Sequence, residues 1–223
     1  MPTRTTPQVL KRVSMRWLPD PAFENTHTLA LNVGGYFMDL RIATAENTLE
    51  WSRAGERKEL SRNPLTCQWT RIIDSLGSTN PDEAAFKDLP NGDDLEFGTF
   101  SKDGVPTSYE EIWRDVTTEF IGDGDAWILQ SGDGSTFLGK VGGIFLGMRQ
   151  TPEGSFAVRK EVLSDSKGGG WKVEFESGAV EGIPRALDAV DVKSDRHKGG
   201  VSVGEKIRVG ETEFIVRGAG KIQ

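Results

Sequence analysis

Leu29-Ala30-Leu31-Asn32-Val33-Gly34-Gly35-Tyr36-Phe37-Met38-Asp39-Leu40-Arg41-Ile42 is the stretch on which the fold turns. Leu29, Leu31 and Val33 alternate up to Gly34-Gly35, and Tyr36, Met38, Leu40 and Ile42 alternate away from it. Side chains two apart share a face of a strand, and a two-residue Gly-Gly link supplies the positive φ of a primed hairpin turn. Asp39 and Arg41 fall together on the face opposite Met38 and Leu40. They read as an exposed ion pair worth well under about 1 kcal/mol, or as a charged pair inside a barrel, aimed at a ligand.

The same punctuation runs through the whole chain. Its 223 residues include 27 Gly and 10 Pro, roughly a sixth of the total against an average near 12%. They separate short apolar runs, the pattern of an all-β sandwich or barrel. Upstream, Val9, Val13, Met15 and Trp17 lie two or four apart with Arg12, Ser14 and Arg16 between them, a half-buried strand ended by Pro19-Asp20-Pro21. This reading fits the basic N-terminus better than a mitochondrial transit peptide does. Residues 1–8 read as a loose arm.

Downstream, strands are expected at 49–53, 68–74 and 95–100. Asn80-Pro81-Asp82-Glu83 carries a helix-start signature: a capping Asn, Pro at the first helical position and Glu three residues after the cap. Residues 108–115 fit a helical turn or a strand equally well. A fresh series follows the turn-rich Gly122-Asp123-Gly124-Asp125, with strands at 126–130, 137–149, 155–163, 171–176, 206–209 and 213–217. Gly139, Gly142, Gly143 and Gly147 suggest bends or bulges in one long strand over 137–149. Each half has about six or seven strands, enough to close a small barrel. The expected organisation is an N-terminal barrel over 9–118 and a C-terminal barrel over 119–223.

Composition removes many chemistries. The net charge of −7, from 34 acidic and 27 basic side chains, argues against a nucleic-acid-binding surface. No apolar run approaches the roughly 18 residues of a membrane span. Cys67 is the single cysteine and reads as a structural thiol; His27 and His197 are the only histidines, too few for a His-based metal site or a Ser/His/Asp triad. Asp123, Asp125 and Asp133 lack the donor spacing of a calcium loop and read as turn residues. The glycines of 139–143 lack the spacing and the following helix of a phosphate loop. No metal and no cofactor is expected.

The six tryptophans are more informative. Trp17, Trp51, Trp69, Trp113, Trp127 and Trp171 each lie in or beside an expected strand. Core packing accounts for them, unless the barrels are roomy enough for several rings to line an apolar pocket. Arg41, Arg71 and Arg114 are then the groups to orient a guest, since a guanidinium offers a planar fork of donors. The candidate ligand-binding set is Arg41, Trp51, Trp69, Arg71, Trp113 and Arg114, with no catalytic residue assigned.

Arg16-Trp17-Leu18-Pro19-Asp20-Pro21, Gly35-Tyr36-Phe37-Met38-Asp39-Leu40-Arg41, Leu49-Glu50-Trp51-Ser52-Arg53-Ala54-Gly55 and Tyr109-Glu110-Glu111-Ile112-Trp113-Arg114-Asp115 follow one another in order. This series, with the strand over 141–148, Gly182-Ile183-Pro184 and the closing hairpin, resembles the fungal Hri family, named for association with the Hrr casein kinase. The resemblance implies two tandem calycin-like (lipocalin-type) antiparallel β-barrels with one or two short helices, a cytoplasmic location and a casein kinase as partner. The chain departs from the family pattern after Trp51 and lacks much of the aromatic stretch of the second half.

Two functions fit these expectations. One is a double β-barrel that binds a hydrophobic small molecule. The other is a cofactor-independent cyclase or isomerase, a pericyclase of Diels–Alder type acting on a polyketide or terpenoid intermediate of fungal secondary metabolism. Its catalysis would come from orientation and preorganised hydrogen bonds. Edge strands of small barrels can pair, so a homodimer is compatible with either.

Overall fold

The alternation around Gly34-Gly35 is realised as two antiparallel strands, β2 (Thr26–Val33) and β3 (Tyr36–Ala43), with Val33 paired to Tyr36 across the turn. Both glycines have positive φ, +58° and +86°, as a primed two-residue turn demands. The computed structural model describes residues 6–120, 122–164, 169–190 and 201–222. His197 lies outside them, as do residues 1–5 of the expected arm; Gln8 already belongs to the first strand.

The architecture is almost all-β. Strands β1 (Gln8–Trp17), β2, β3, β4 (Thr48–Arg62), β5 (Leu65–Asp74), β6 (Asp82–Asp88), β7 (Asp94–Lys102) and β8 (Val105–Asp115) form a closed antiparallel barrel in sequence order, β8 returning to β1. A seven-stranded antiparallel sheet follows. It is built from β9 (Asp125–Ser131), β10 (Thr136–Val141), β11 (Ile144–Gln150), β12 (Phe156–Leu163), β13 (Trp171–Ser177), β14 (Lys206–Val209) and β15 (Thr212–Lys221), in the order β13-β12-β11-β10-β9-β15-β14. One short helix, α1 (Ala186–Val190), and two 3₁₀ turns complete it. This arrangement fits the tandem-barrel expectation. No helix among the described residues is long and apolar enough to cross a membrane.

Three local expectations are corrected. Residues 82–88 form strand β6, because Asp82, Ala84 and Phe86 alternate into the barrel and pairing with β5 and β7 overrides the capping signature. Residues 137–149 are two strands, not one. Gly142-Gly143 turns the chain with φ +55° at Gly142, and Val141 pairs with Ile144, repeating the device of the first hairpin. In β1 a bulge between Arg12 and Ser14 exchanges the faces, so Leu10 and Arg12 point inward with Met15 and Trp17, while Val13 is outside. Residues 108–115, ambiguous in sequence, are strand.

The largest apolar cluster lies outside the barrel. Leu31, Met38, Leu40 and Ile42, on the outer wall, pack against Ile128, Phe137, Leu146 and Met148 of the sheet. The sheet's far face has its own cluster, in which Phe145 stands edge-on to Trp127 and Trp171 at 6.4 Å each, beneath Ile183 and Ala186. Central strands β9 and β10 are therefore buried on both faces. Gly218 sits where the two units touch: a Cβ there would lie 2.1 Å from the Val33 carbonyl oxygen. Gly218→Ala is expected to destabilise the protein by about 1–3 kcal/mol. Because barrel and sheet share a core, urea denaturation should remain one transition with a lowered midpoint. An unchanged midpoint contradicts the tight apposition.

Candidate ligand site inside the barrel

Burying Met38, Leu40 and Ile42 against the sheet turns Phe37, Asp39 and Arg41 into the barrel. Asp39 and Arg41 are not an exposed pair; they are 4% and 8% accessible and their side chains meet at 3.2 Å. They belong to a longer series. Glu24 holds Arg12 (2.8 Å), Arg12 holds Glu111 (2.6 Å), and Glu111 reaches Arg41 (3.5 Å). Arg41 and Arg53 share Asp39, the latter at 3.3 Å; Arg53 and Arg71 share Asp82, at 2.9 and 3.6 Å; Arg71 ends beside Asp74 at 3.8 Å. Signs alternate throughout, five carboxylates and four guanidiniums, so the series carries one surplus negative charge.

Burial costs each ion several kcal/mol, and only such pairing offsets it. Burial pushes Asp39 upward, but Arg41 and Arg53 outweigh it and hold the carboxyl below its ordinary range. Around Arg41 burial favours the neutral form, and Asp39 and Glu111 overcome it to raise its pKa. Arg71 is lowered, by burial first and then by Arg53. Pairing is incomplete there: Asp39 Oδ1 and Arg71 Nε have no hydrogen-bond partner.

One interior carboxyl stands outside the series. Glu96, on β7, is 8% accessible and accepts a 2.8 Å hydrogen bond from the Tyr109 hydroxyl at Oε1. Among the described residues it makes no ion pair. Burial, then the negative Glu111, push its pKa up to about 8. Tyr109 is raised as well, by burial and by Glu96.

Above these charges is a cavity of about 190 Å³. Trp17, Trp51 and Phe100 form its aromatic walls; Arg41, Arg53, Asp82, Glu96 and Glu111 its polar side. Trp51 and Phe100 lie 6.1 Å apart, and the Trp17 ring stands edge-on to Tyr109 at 6.2 Å. Trp51 is fixed from several directions: its indole N–H donates to Asp74 (3.1 Å), and the guanidiniums of Arg53, Arg41 and Arg71 lie 4.3, 4.7 and 5.2 Å from its ring centre. A smaller void of about 30 Å³ shares Arg53 and Glu96 and is lined by Trp69 and Trp113. It has room for about one or two waters.

The structure thus brings Arg41 and Trp51 to the larger cavity and Trp69 and Trp113 to the smaller one. Arg71 stands behind Trp51. Arg114 is outside the barrel: it follows Trp113 in β8, so it points the opposite way and binds Asp93 through two 2.8 Å hydrogen bonds. Sequence reasoning missed Arg53, Asp82, Glu96, Tyr109 and Glu111. Period-two spacing carried the signal for most of them, since Arg53 is two residues from Trp51 and Glu111 lies between Tyr109 and Trp113 at the same spacing. The aspartates read as turn residues behave as such. Asp133 accepts from Ser135, and Asp123 caps the turn at Asp125 while holding Lys140. Cys67 is buried in the barrel with Trp69 and Phe86.

The fold and the site together define an antiparallel β-barrel protein with a charged interior and an aromatic-walled cavity. The family described as Protein HRI1 matches residues 8–214, and the chain belongs to it. Among solved structures, the chain is similar to the crystal structure of the uncharacterized protein YLR301w from Saccharomyces cerevisiae. The TM-score is 0.71 at 16% identity, over 96% of this chain and 99% of that one, a likeness of fold. No match is found among curated proteins.

Glu96 makes stability fall with alkali. Its folded pKa, about 8, lies above the ordinary 4.5, so the native state holds a proton that the unfolded chain releases between those values. The stabilisation is fully present below pH 4.5 and lost as pH rises through 8. Glu96→Gln should therefore raise the melting temperature relative to the native protein at pH 9, with the gap closing towards pH 4. A gap that is constant with pH contradicts the assignment.

Proposed function

We propose that the barrel binds a small organic molecule in the cavity beside Trp51, an aromatic or conjugated compound with a polar anchor. One observation carries this reading: a cavity of about 190 Å³, open on one side, walled by Trp17, Trp51 and Phe100, with a floor of paired charges held in place by one another. The volume is below the roughly 300–1,000 Å³ of sites for drug-sized ligands, so it favours a one- or two-ring compound, or one such part of a larger molecule. The expected apolar pocket with a few orienting arginines is found with more charge than expected, because Asp82, Glu96 and Glu111 join Arg41 and Arg53 in its lining. On family resemblance we further take the cytoplasm as the compartment and a casein kinase as the partner to test first.

A second reading, cofactor-independent cyclisation or isomerisation, is supported by Glu96. A carboxyl that stays protonated near neutral pH inside an aromatic cavity is a preorganised donor for a carbonyl oxygen that gains charge during reaction.

Titration with one- and two-ring aromatic compounds should quench tryptophan emission saturably. Met15→Trp, which enlarges an inward side chain of the lining that belongs to no ion pair, should weaken that binding at least about tenfold while leaving the melting temperature unchanged. If no compound in the panel alters emission, the binding reading fails.

A further inference from the structure

Every carboxylate of the barrel's ion-pair series has a guanidinium within 4 Å; Glu96 has none among the described residues. Its Oε1 is taken by the Tyr109 hydroxyl, and Oε2 has no hydrogen-bond partner among the described residues, although Glu96 lines both voids. The groups facing it are Glu111 and Tyr109 from β8, Asp82 from β6, Arg53 from β4 and Arg41 from β3. Both of these arginines are held between two carboxylates, Arg41 by Asp39 and Glu111, Arg53 by Asp39 and Asp82. They are already neutralised and leave no cation for an anionic guest. With the series one charge negative, ionising Glu96 would add a second negative charge in a buried space, which is disfavoured. The neutral acid, with Tyr109 on one oxygen, has its O–H left for the cavity.

We propose that Glu96 is the specificity-determining donor of the site, and that the cavity selects an uncharged, flat, conjugated molecule bearing a carbonyl oxygen, which accepts the Glu96 O–H while its ring lies between Trp17, Trp51 and Phe100. This deepens the binding reading and rests on it. An anion meets surplus negative charge, and a cation would require Glu96 to give up its proton. The three ligand charges therefore predict three pH profiles. A ketone binds the protonated site and loses affinity as pH rises through 8, roughly tenfold for each unit beyond. A cation gains affinity over the same interval.

The test uses three probes of similar size that keep their charge state at both pH values, 4-fluoroacetophenone, 4-fluorobenzamidinium and 4-fluorobenzoate, with binding read from ¹⁹F line broadening at pH 6 and pH 9.5. The ketone should bind best at pH 6 and weaken about thirtyfold at pH 9.5. Glu96→Gln keeps an N–H donor without the titration, so it should bind the ketone with the same affinity at both pH values. Preference for the amidinium or the carboxylate at pH 6, or a ketone affinity independent of pH in the native protein, overturns the role of Glu96 and leaves cavity binding intact. If none of the three probes binds, while circular dichroism shows the protein folded at both pH values, the binding reading itself fails and this inference with it.

Discussion

The run of alternating charges from Glu24 to Asp74 is the constraint on which the rest of the barrel depends. An eight-stranded barrel has an interior just wide enough for its own side chains or one small guest. Filling it with leucine and phenylalanine would exclude water at lower cost, since replacing buried ion pairs by well-packed apolar groups is often neutral or stabilising by about 1–4 kcal/mol. Here four guanidiniums, each between carboxylates, span the interior from β1 to β5. Stability alone does not account for such an interior. Long planar groups locked at both ends keep Trp51 upright and leave open the space beside it.

This polar interior is affordable because the protein's principal apolar core lies elsewhere. The outer wall formed by Leu31, Met38, Leu40 and Ile42 is covered by the second sheet, whose central strands have an apolar cluster on each face. The sheet and the barrel's outside supply most of the hydrophobic burial, and the barrel's inside holds the paired charges beside a smaller apolar cluster around Cys67 and Trp69. Side chains alternate strictly along β3, so one strand serves both surfaces.

That arrangement also decides how much was legible in the sequence. Alternation and Gly-Gly turns place most of the strands, because period-two patterning and positive φ are local properties. Which face points inward is not local. Met38, Leu40 and Ile42 read as the buried face and Asp39 with Arg41 as the other; both are buried, against different partners, and only tertiary packing says so. The same limit explains β6, where barrel closure overrides a helix cap, and β1, where a bulge after Arg12 reverses the parity that grouped Val13 with Trp17. Of the site, Arg41 and Trp51 were legible from aromatic and guanidinium chemistry. Glu96 was not, because its distinction is to lack a partner that its neighbours have.

The claim that Glu96 stands apart from the charge series is tested most directly by following the side-chain carboxyl carbons of ¹³C-labelled glutamates from pH 3 to pH 10. The account predicts that one resonance, identified by its loss on substituting residue 96, titrates near pH 8, while the Glu24 carboxyl titrates below the ordinary glutamate value near 4.5. If the resonance of residue 96 moves with an ordinary midpoint, Glu96 is a solvated or ion-paired carboxylate and the neutral donor in the cavity does not exist.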